Sequence, residues 1–151
     1  MKIKITLVLL TLLALTMPGP NPARAETIQW LTYDEARKKN TGQSTKYLFY
    51  FQSDRCGYCR KLERETLAQT PIIAYINENF IPVRIDTDRS SALAARHGVR
   101  GVPDLHFLSP EGEKIANWPG FLLADQLLPL LEFIHSDSFQ KMSYQDFLRQ
   151  R

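Results

Sequence analysis

Cys56 and Cys59, the two cysteines of the chain, lie three positions apart in the run Ser53-Asp54-Arg55-Cys56-Gly57-Tyr58-Cys59-Arg60-Lys61. Such a pair can act as a metal clamp, a structural staple or a redox centre. A structural zinc site takes four ligands, usually from two such pairs or from one pair and a spaced histidine pair, and His97, His106 and His135 lack that spacing. Covalent haem attachment needs a histidine directly after the second cysteine, where Arg60 stands. A staple closing so small a ring adds little stability compared with one closing a long loop. Reversible thiol–disulfide chemistry is the reading that fits best, and it uses no metal and no cofactor beyond the cysteine pair.

That chemistry needs a strand and a helix to hold the pair. Tyr47-Leu48-Phe49-Tyr50-Phe51 is a continuous aromatic and aliphatic run of the kind found when both faces of a strand are covered. After Cys59, the residues Leu62, Thr66 and Leu67 recur at helical spacing among Arg60, Lys61, Glu63, Arg64 and Glu65, which predicts an amphipathic helix. The start of a helix has unpaired N–H groups and a partial positive charge, so it stabilises a thiolate on Cys56. Arg55, Arg60 and Lys61 act in the same direction and Asp54 against it. Cys56 is therefore the candidate nucleophile, and Cys59, one turn in, the candidate resolving thiol. Glu63 falls four residues after Cys59 on the same helix face. It is a candidate acceptor for the Cys59 proton, and the alternative is a solvated charge paired with Arg60 or Lys61.

The rest of the sequence reads as alternating helices and strands. Thr32-Tyr33-Asp34-Glu35 has the capping-box pattern and predicts a helix to about Lys39, ended by Asn40, Thr41 and Gly42. Thr70 as cap and Pro71 at the first position predict another helix, followed by a strand over 80–85. Ser90 or Ser91 opens a short helix that Gly98 stops. Strands are predicted over 104–108 and 114–118, joined by a turn at Ser109-Pro110-Glu111-Gly112. A helix is predicted over 122–136, with Pro129 requiring a kink or a late start, and Ser143 caps a last short helix. Strands joined through a helix are parallel and strands joined by a tight turn are antiparallel. The expected architecture is therefore a mixed four-stranded sheet with helices on both faces, with a further short N-terminal strand as a variant.

At 151 residues with 44% hydrophobic content, the chain suits one domain with a proper core. Lys2, Lys4, the apolar stretch 5–16 and Ala23-Arg24-Ala25 read as a secretory signal peptide over 1–25, cleaved after Ala25. Pro18, Gly19, Pro20 and Pro22 interrupt the stretch short of the roughly 20 apolar residues of a membrane span. Beyond it lies a single domain over 26–151, with a core of about 46–135 and a C-terminal helical extension over 137–151. The whole-chain charge of +3 loses Lys2, Lys4 and Arg24 with the leader, leaving 16 basic and 16 acidic residues, so no nucleic-acid partner is implied. Export places the pair among oxidants.

Together, the strand, the cysteine pair opening a helix and Val102-Pro103 before a strand resemble the thioredoxin fold. The likeness extends to the hairpin and to the Gly120-Phe121 junction, over about residues 46–134. The resemblance implies that Val102 offers its backbone to an extended substrate segment, and that a cis-proline at Pro103 packs against the cysteines and keeps metal away. Gly57 and Tyr58 would then touch substrate. Within the superfamily, the chain is most similar to small exported proteins of the SoxW type and to the C-terminal domain of the transmembrane reductase DsbD, where a glutamate matches Glu63. It departs from the family at Tyr50, where thioredoxins keep a buried aspartate, and at Arg55 and Asp104, where tryptophan and threonine are usual. The resemblance implies a monomeric periplasmic thiol:disulfide oxidoreductase that reduces protein disulfides with electrons from a membrane donor of the DsbD type. Gly57-Tyr58 with Arg60-Lys61 also resembles the centre of DsbC-type isomerases, whose dimerisation module finds too little room in 26–43. The remaining alternative is a non-catalytic binding module with a structural disulfide.

Overall fold

The computed structural model describes residues 27–39 and 44–151. The leader, its cleavage point and the helix-ending Asn40, Thr41 and Gly42 lie outside the described residues. The elements follow in the order α1 (Tyr33–Lys39), β1 (Tyr47–Gln52), α2 (Gly57–Leu62), a π-helical segment (Glu63–Leu67), α3 (Thr70–Asn79), β2 (Ile81–Asp86) and α4 (Ser91–Arg96). After these come β3 (Asp104–Leu108), β4 (Lys114–Pro119), α5 (Ala124–His135), a 3-10 turn (Ser138–Gln140) and α6 (Tyr144–Arg149). The chain has the thioredoxin fold, with the sheet in the order β2-β1-β3-β4. β1 runs parallel to β2 and antiparallel to β3, which pairs antiparallel with β4. The extra N-terminal strand is reduced to one bridge, Leu31 beside Val83.

β1 is buried along its whole length, as its unbroken apolar run requires. Because successive strand side chains alternate between faces, Leu48 and Tyr50 enter one core with Leu62, Ile76, Leu105, Phe107 and Leu127. Phe49 and Phe51 enter the other with Ala36, Val83, Ala94 and Leu108. The first core is covered by α2, α3 and α5, the second by α1 and α4. α6 covers the first core's rim, with Tyr144 and Phe147 both 5.3 Å from the Phe133 ring.

Three local expectations are corrected. The helix after Cys59 does not continue as a regular α-helix but widens into the π-helical segment at Glu63. Thr66 is fully buried there and donates to the Leu122 carbonyl at 2.6 Å. α3 is capped by extended Gln69 rather than Thr70, so Pro71 stays within the first turn, where its missing N–H costs nothing. α5 begins at Ala124, later than the expected 122, and runs through Pro129. The interior proline costs about 3 kcal/mol, but the carbonyl left without its donor belongs to exposed Asp125. Burial of Leu127, Leu130, Leu131 and Ile134, at about 1.5–3 kcal/mol each, outweighs it.

Candidate active site

The cysteine pair sits where β1 leaves the sheet and α2 begins. Cys56 is the N-cap of α2, in extended conformation, and its Sγ accepts from the Cys59 N–H at 3.0 Å. Cys56 is bonded to Cys59, with a Cα separation of 5.2 Å. Cys56 is half-buried, whereas Cys59 is 1% exposed and packed in the core. That gradient suits an outer sulfur that meets a partner and an inner one that only ever attacks its neighbour.

The Val102–Pro103 bond is cis, and the Val102 carbonyl oxygen lies 3.4 Å from Cys56 Sγ. Gly120, at φ +92, turns the chain just after β4, and its N–H donates to the Pro103 carbonyl at 2.7 Å. This ties the proline loop to the end of the hairpin. Among the described residues, the N–H groups of Gly101 and Val102 reach no backbone acceptor, so they remain available to an incoming chain. Tyr58 is 66% exposed beside the pair, and Gly57 opens α2. Cys56, Cys59, Gly57, Tyr58, Val102 and Pro103 are thus brought together as expected.

Of the two readings of Glu63, the surface pair is the one the structure corrects, since Glu63 pairs neither with Arg60 nor with Lys61. Its Oε1 accepts from the Tyr50 hydroxyl at 3.2 Å and from the Arg84 guanidinium, and the same Tyr50 hydroxyl lies 3.4 Å from the Cys59 carbonyl. The Arg84 guanidinium also lies over the Tyr50 and Trp30 rings. Tyr50 is fully buried, and burial, reinforced by the neighbouring Glu63 charge, pushes its phenol well above the usual range. Glu63 keeps a third of its side chain exposed at the mouth of an open cavity of about 250 Å³ lined also by Ile28, Trp30 and Ile73. Tyr50 thus links the Glu63 carboxylate to the Cys59 backbone, with the acid supplied by the helix and the phenol donor by the strand.

Tyr50 was legible only as a departure, and Arg84 was missed. Alternation along two parallel strands could have found both, because Tyr50 and Arg84 are register partners on β1 and β2.

The approach to Cys56 is braced on the other side. Asp88 accepts from Ser53 Oγ at 2.7 Å and from Arg55 Nη2 at 2.9 Å, and these bonds hold its carboxyl below the usual carboxylate range. Behind the proline loop, the side chains of Asp104 and His106 are almost wholly buried, with His106 Nε2 3.0 Å from Asp104 Oδ2 and Asn117 donating to Asp104 at 3.3 Å. No group of three or more His, Cys, Asp or Glu among the described residues is arranged to hold a metal ion.

The sequence model of the thioredoxin-like domain matches residues 33–135. Disulfide bond reductase DsbH of Chlamydia pneumoniae is 25% identical over 63% of this chain and 64% of its own length. Protein disulfide isomerase-like 5-2 of Oryza sativa is 33% identical over 39% of this chain and 14% of that protein. This chain therefore spans less than two thirds of either curated relative. Among solved structures, DsbH oxidoreductase superposes with a TM-score of 0.63 at 21% identity, covering 75% of this chain and 88% of that one. A thioredoxin from Thermus thermophilus gives 0.64 at 22% identity, covering 70% and 85%. These two structural likenesses bear on the fold.

Proposed function

Because the chain belongs to the thioredoxin-like family, we propose that it is an exported thiol:disulfide oxidoreductase that reduces protein disulfides. The observation that carries this reading is the setting of Cys56 Sγ. It lies at the head of a helix, between the Cys59 N–H and the Val102 carbonyl, with Cys59 buried directly behind it. In the reduced protein, the Cys56 thiolate attacks one sulfur of a substrate disulfide. A Cys56–substrate disulfide forms and the other substrate sulfur leaves as a thiolate. Cys59, having given its proton to Glu63, then attacks Cys56 Sγ, closing the Cys56–Cys59 bond and releasing the second substrate sulfur. Two electrons pass from the cysteine pair to the substrate, which takes up two protons as it becomes a dithiol.

Val102 and Pro103 form the wall against which the substrate backbone lies, with Gly57 and Tyr58 opposite. The reductive direction is supported by the reductase among the chain's relatives and by the sequence likeness to DsbD. Each turnover leaves the Cys56–Cys59 disulfide, so an electron donor must reopen it, and a membrane protein of the DsbD type fits a periplasmic location. The leader-like residues 1–25 support that location.

Cys59→Ser tests the reading. The variant should accumulate mixed disulfides on Cys56 with protein partners, visible as adducts that a reductant removes, whereas Cys56→Ser should give none. Equal labelling of both variants would contradict the assignment of the nucleophile. A reduction potential as high as about −120 mV, at the oxidising end of the scale, would contradict the reductive direction.

A further inference from the structure

We propose that the polypeptide segment presented to the Cys56–Cys59 centre is acidic, and that it lies extended in the groove beside the Val102–Pro103 loop with its carboxylates against Arg100 and Lys114. This rests on the exchange reading above and adds the charge of the substrate to it.

The groove holds about 570 Å³ between the loop 98–103 and β4, and Arg100, Val102, Pro103, Lys114, Asn117 and Gly120 are among its lining residues. β4 is an edge strand, so its outer backbone groups are not paired with another strand of the sheet. Arg100 and Lys114 are exposed, and neither forms an ion pair with a described residue. The acid in the lining, Asp104, is 3% exposed and engaged with His106 and Asn117.

The other side of Cys56 carries the same sign. Arg60 is exposed and donates to a neutral acceptor, the Asp54 carbonyl, at 2.8 Å. Lys61 Nζ sits 4.5 Å above the Phe121 ring and 3.9 Å from Glu65. Phe121 follows Gly120, which is bonded to the proline loop, so the cations flank the point where a substrate sulfur must arrive. The exposed acids nearby are Asp54, Glu65 beside Lys61, Asp88, which is matched by Arg55, and Glu113 next to Lys114. Over residues 26–151, acids and bases are equal in number at 16 each. The positive rim is therefore a local asymmetry and not a property of a basic protein. Exposed pairs are weak singly, but a rim with cations in excess raises association rates collectively, and salt screens it.

The test uses the full chain, reduced, and three disulfide-bridged peptides of one length whose flanking residues are Asp/Glu, Ser/Ala or Lys/Arg. Second-order rate constants are compared at low and physiological ionic strength. The acidic peptide should react about tenfold faster than the basic one at low salt, with the ratio shrinking as the Debye length falls to about 8 Å. The double variant Arg100→Glu/Lys114→Glu should reverse the order, and Arg100→Gln/Lys114→Gln, which perturbs folding least, should bring the ratio close to one. Equal rates for acidic and basic peptides, or an acidic preference that both double variants retain, would overturn the proposal while leaving disulfide exchange intact. Failure to reduce any peptide would instead remove the exchange reading and this inference with it.

Discussion

The sheet carries buried polar groups on both faces close to the cysteine pair, and the two sets are built on opposite plans. On the face covered by α2 and α3, Tyr50 and Arg84 converge on Glu63, which opens onto a cavity. On the face covered by α1 and α4, Asp104 and His106 close on each other, with the Phe51 ring 5.0 Å from the His106 ring and the half-buried His97 ring 6.1 Å from it. The first set ends in a partly exposed carboxylate joined through the Tyr50 hydroxyl to the Cys59 carbonyl, and the second in side chains sealed from solvent. On the proposed mechanism a proton taken from Cys59 leaves by the first side, while the second side keeps Asp104 and His106 away from solvent. The two faces would then divide reactivity and rigidity between them.

The sharpest way to break this comparison is to truncate the sealed side. His106→Leu exchanges a fully buried ring, packed on Phe51 with its Nε2 3.0 Å from Asp104 Oδ2, for a side chain of different shape and should cost about 2–3 kcal/mol, lowering the melting temperature by roughly 5–10 °C. The exchange rate of the folded protein should change little, and a large loss of rate without loss of stability would erase the distinction between the faces. On the open side the pattern should invert. Glu63→Gln should slow the resolving step about tenfold to a hundredfold, within the range of a general base. Because Glu63 is a third exposed, the melting temperature should shift only slightly. Trapped mixed disulfide read by mass spectrometry against time checks this, and wild-type decay of the adduct would remove Glu63 from the mechanism. Tyr50→Phe keeps the ring and deletes the donor, so it should slow the same step by only about threefold.

The smallest effect concerns His97, on the sealed side. Burial, then the neighbouring His106, Arg96 and Lys114, lower its pKa from the ordinary value. Protonation therefore favours the unfolded chain, which binds the proton more readily at mildly acid pH. The stabilisation is complete above the ordinary histidine pKa and declines as pH falls through it towards the folded value. Melting curves should show a loss below about 1 kcal/mol between about pH 7 and pH 5, and His97→Gln should flatten it. A wild-type curve that rises on acidification would contradict the assignment.

The same division decides what was legible in the sequence. The cysteine spacing, the aromatic strand and the Val102-Pro103 loop are local signals, and the strand order and cis bond followed the expected architecture. The acid at Glu63 was visible through helical spacing from Cys59, but its partners were not. Tyr50 and Arg84 belong to different strands and meet only through parallel register, which periodicity along a single segment does not reveal. Asp104 and His106 are two apart on one strand, so alternation places them on one face, yet nothing local says that the face is sealed. The π-helical widening at Glu63 was likewise hidden, and the bond its Thr66 makes to the Leu122 carbonyl joins residues far apart along the chain.

If Cys56 and Cys59 pass electrons to protein disulfides, the dithiothreitol-regenerated full chain reduces insulin. The wild type should bring on insulin precipitation well ahead of the uncatalysed control, while Cys56→Ser and Cys59→Ser should follow that control. Coincident curves for the wild type and both variants would contradict the claim and leave Cys56–Cys59 as a structural bond.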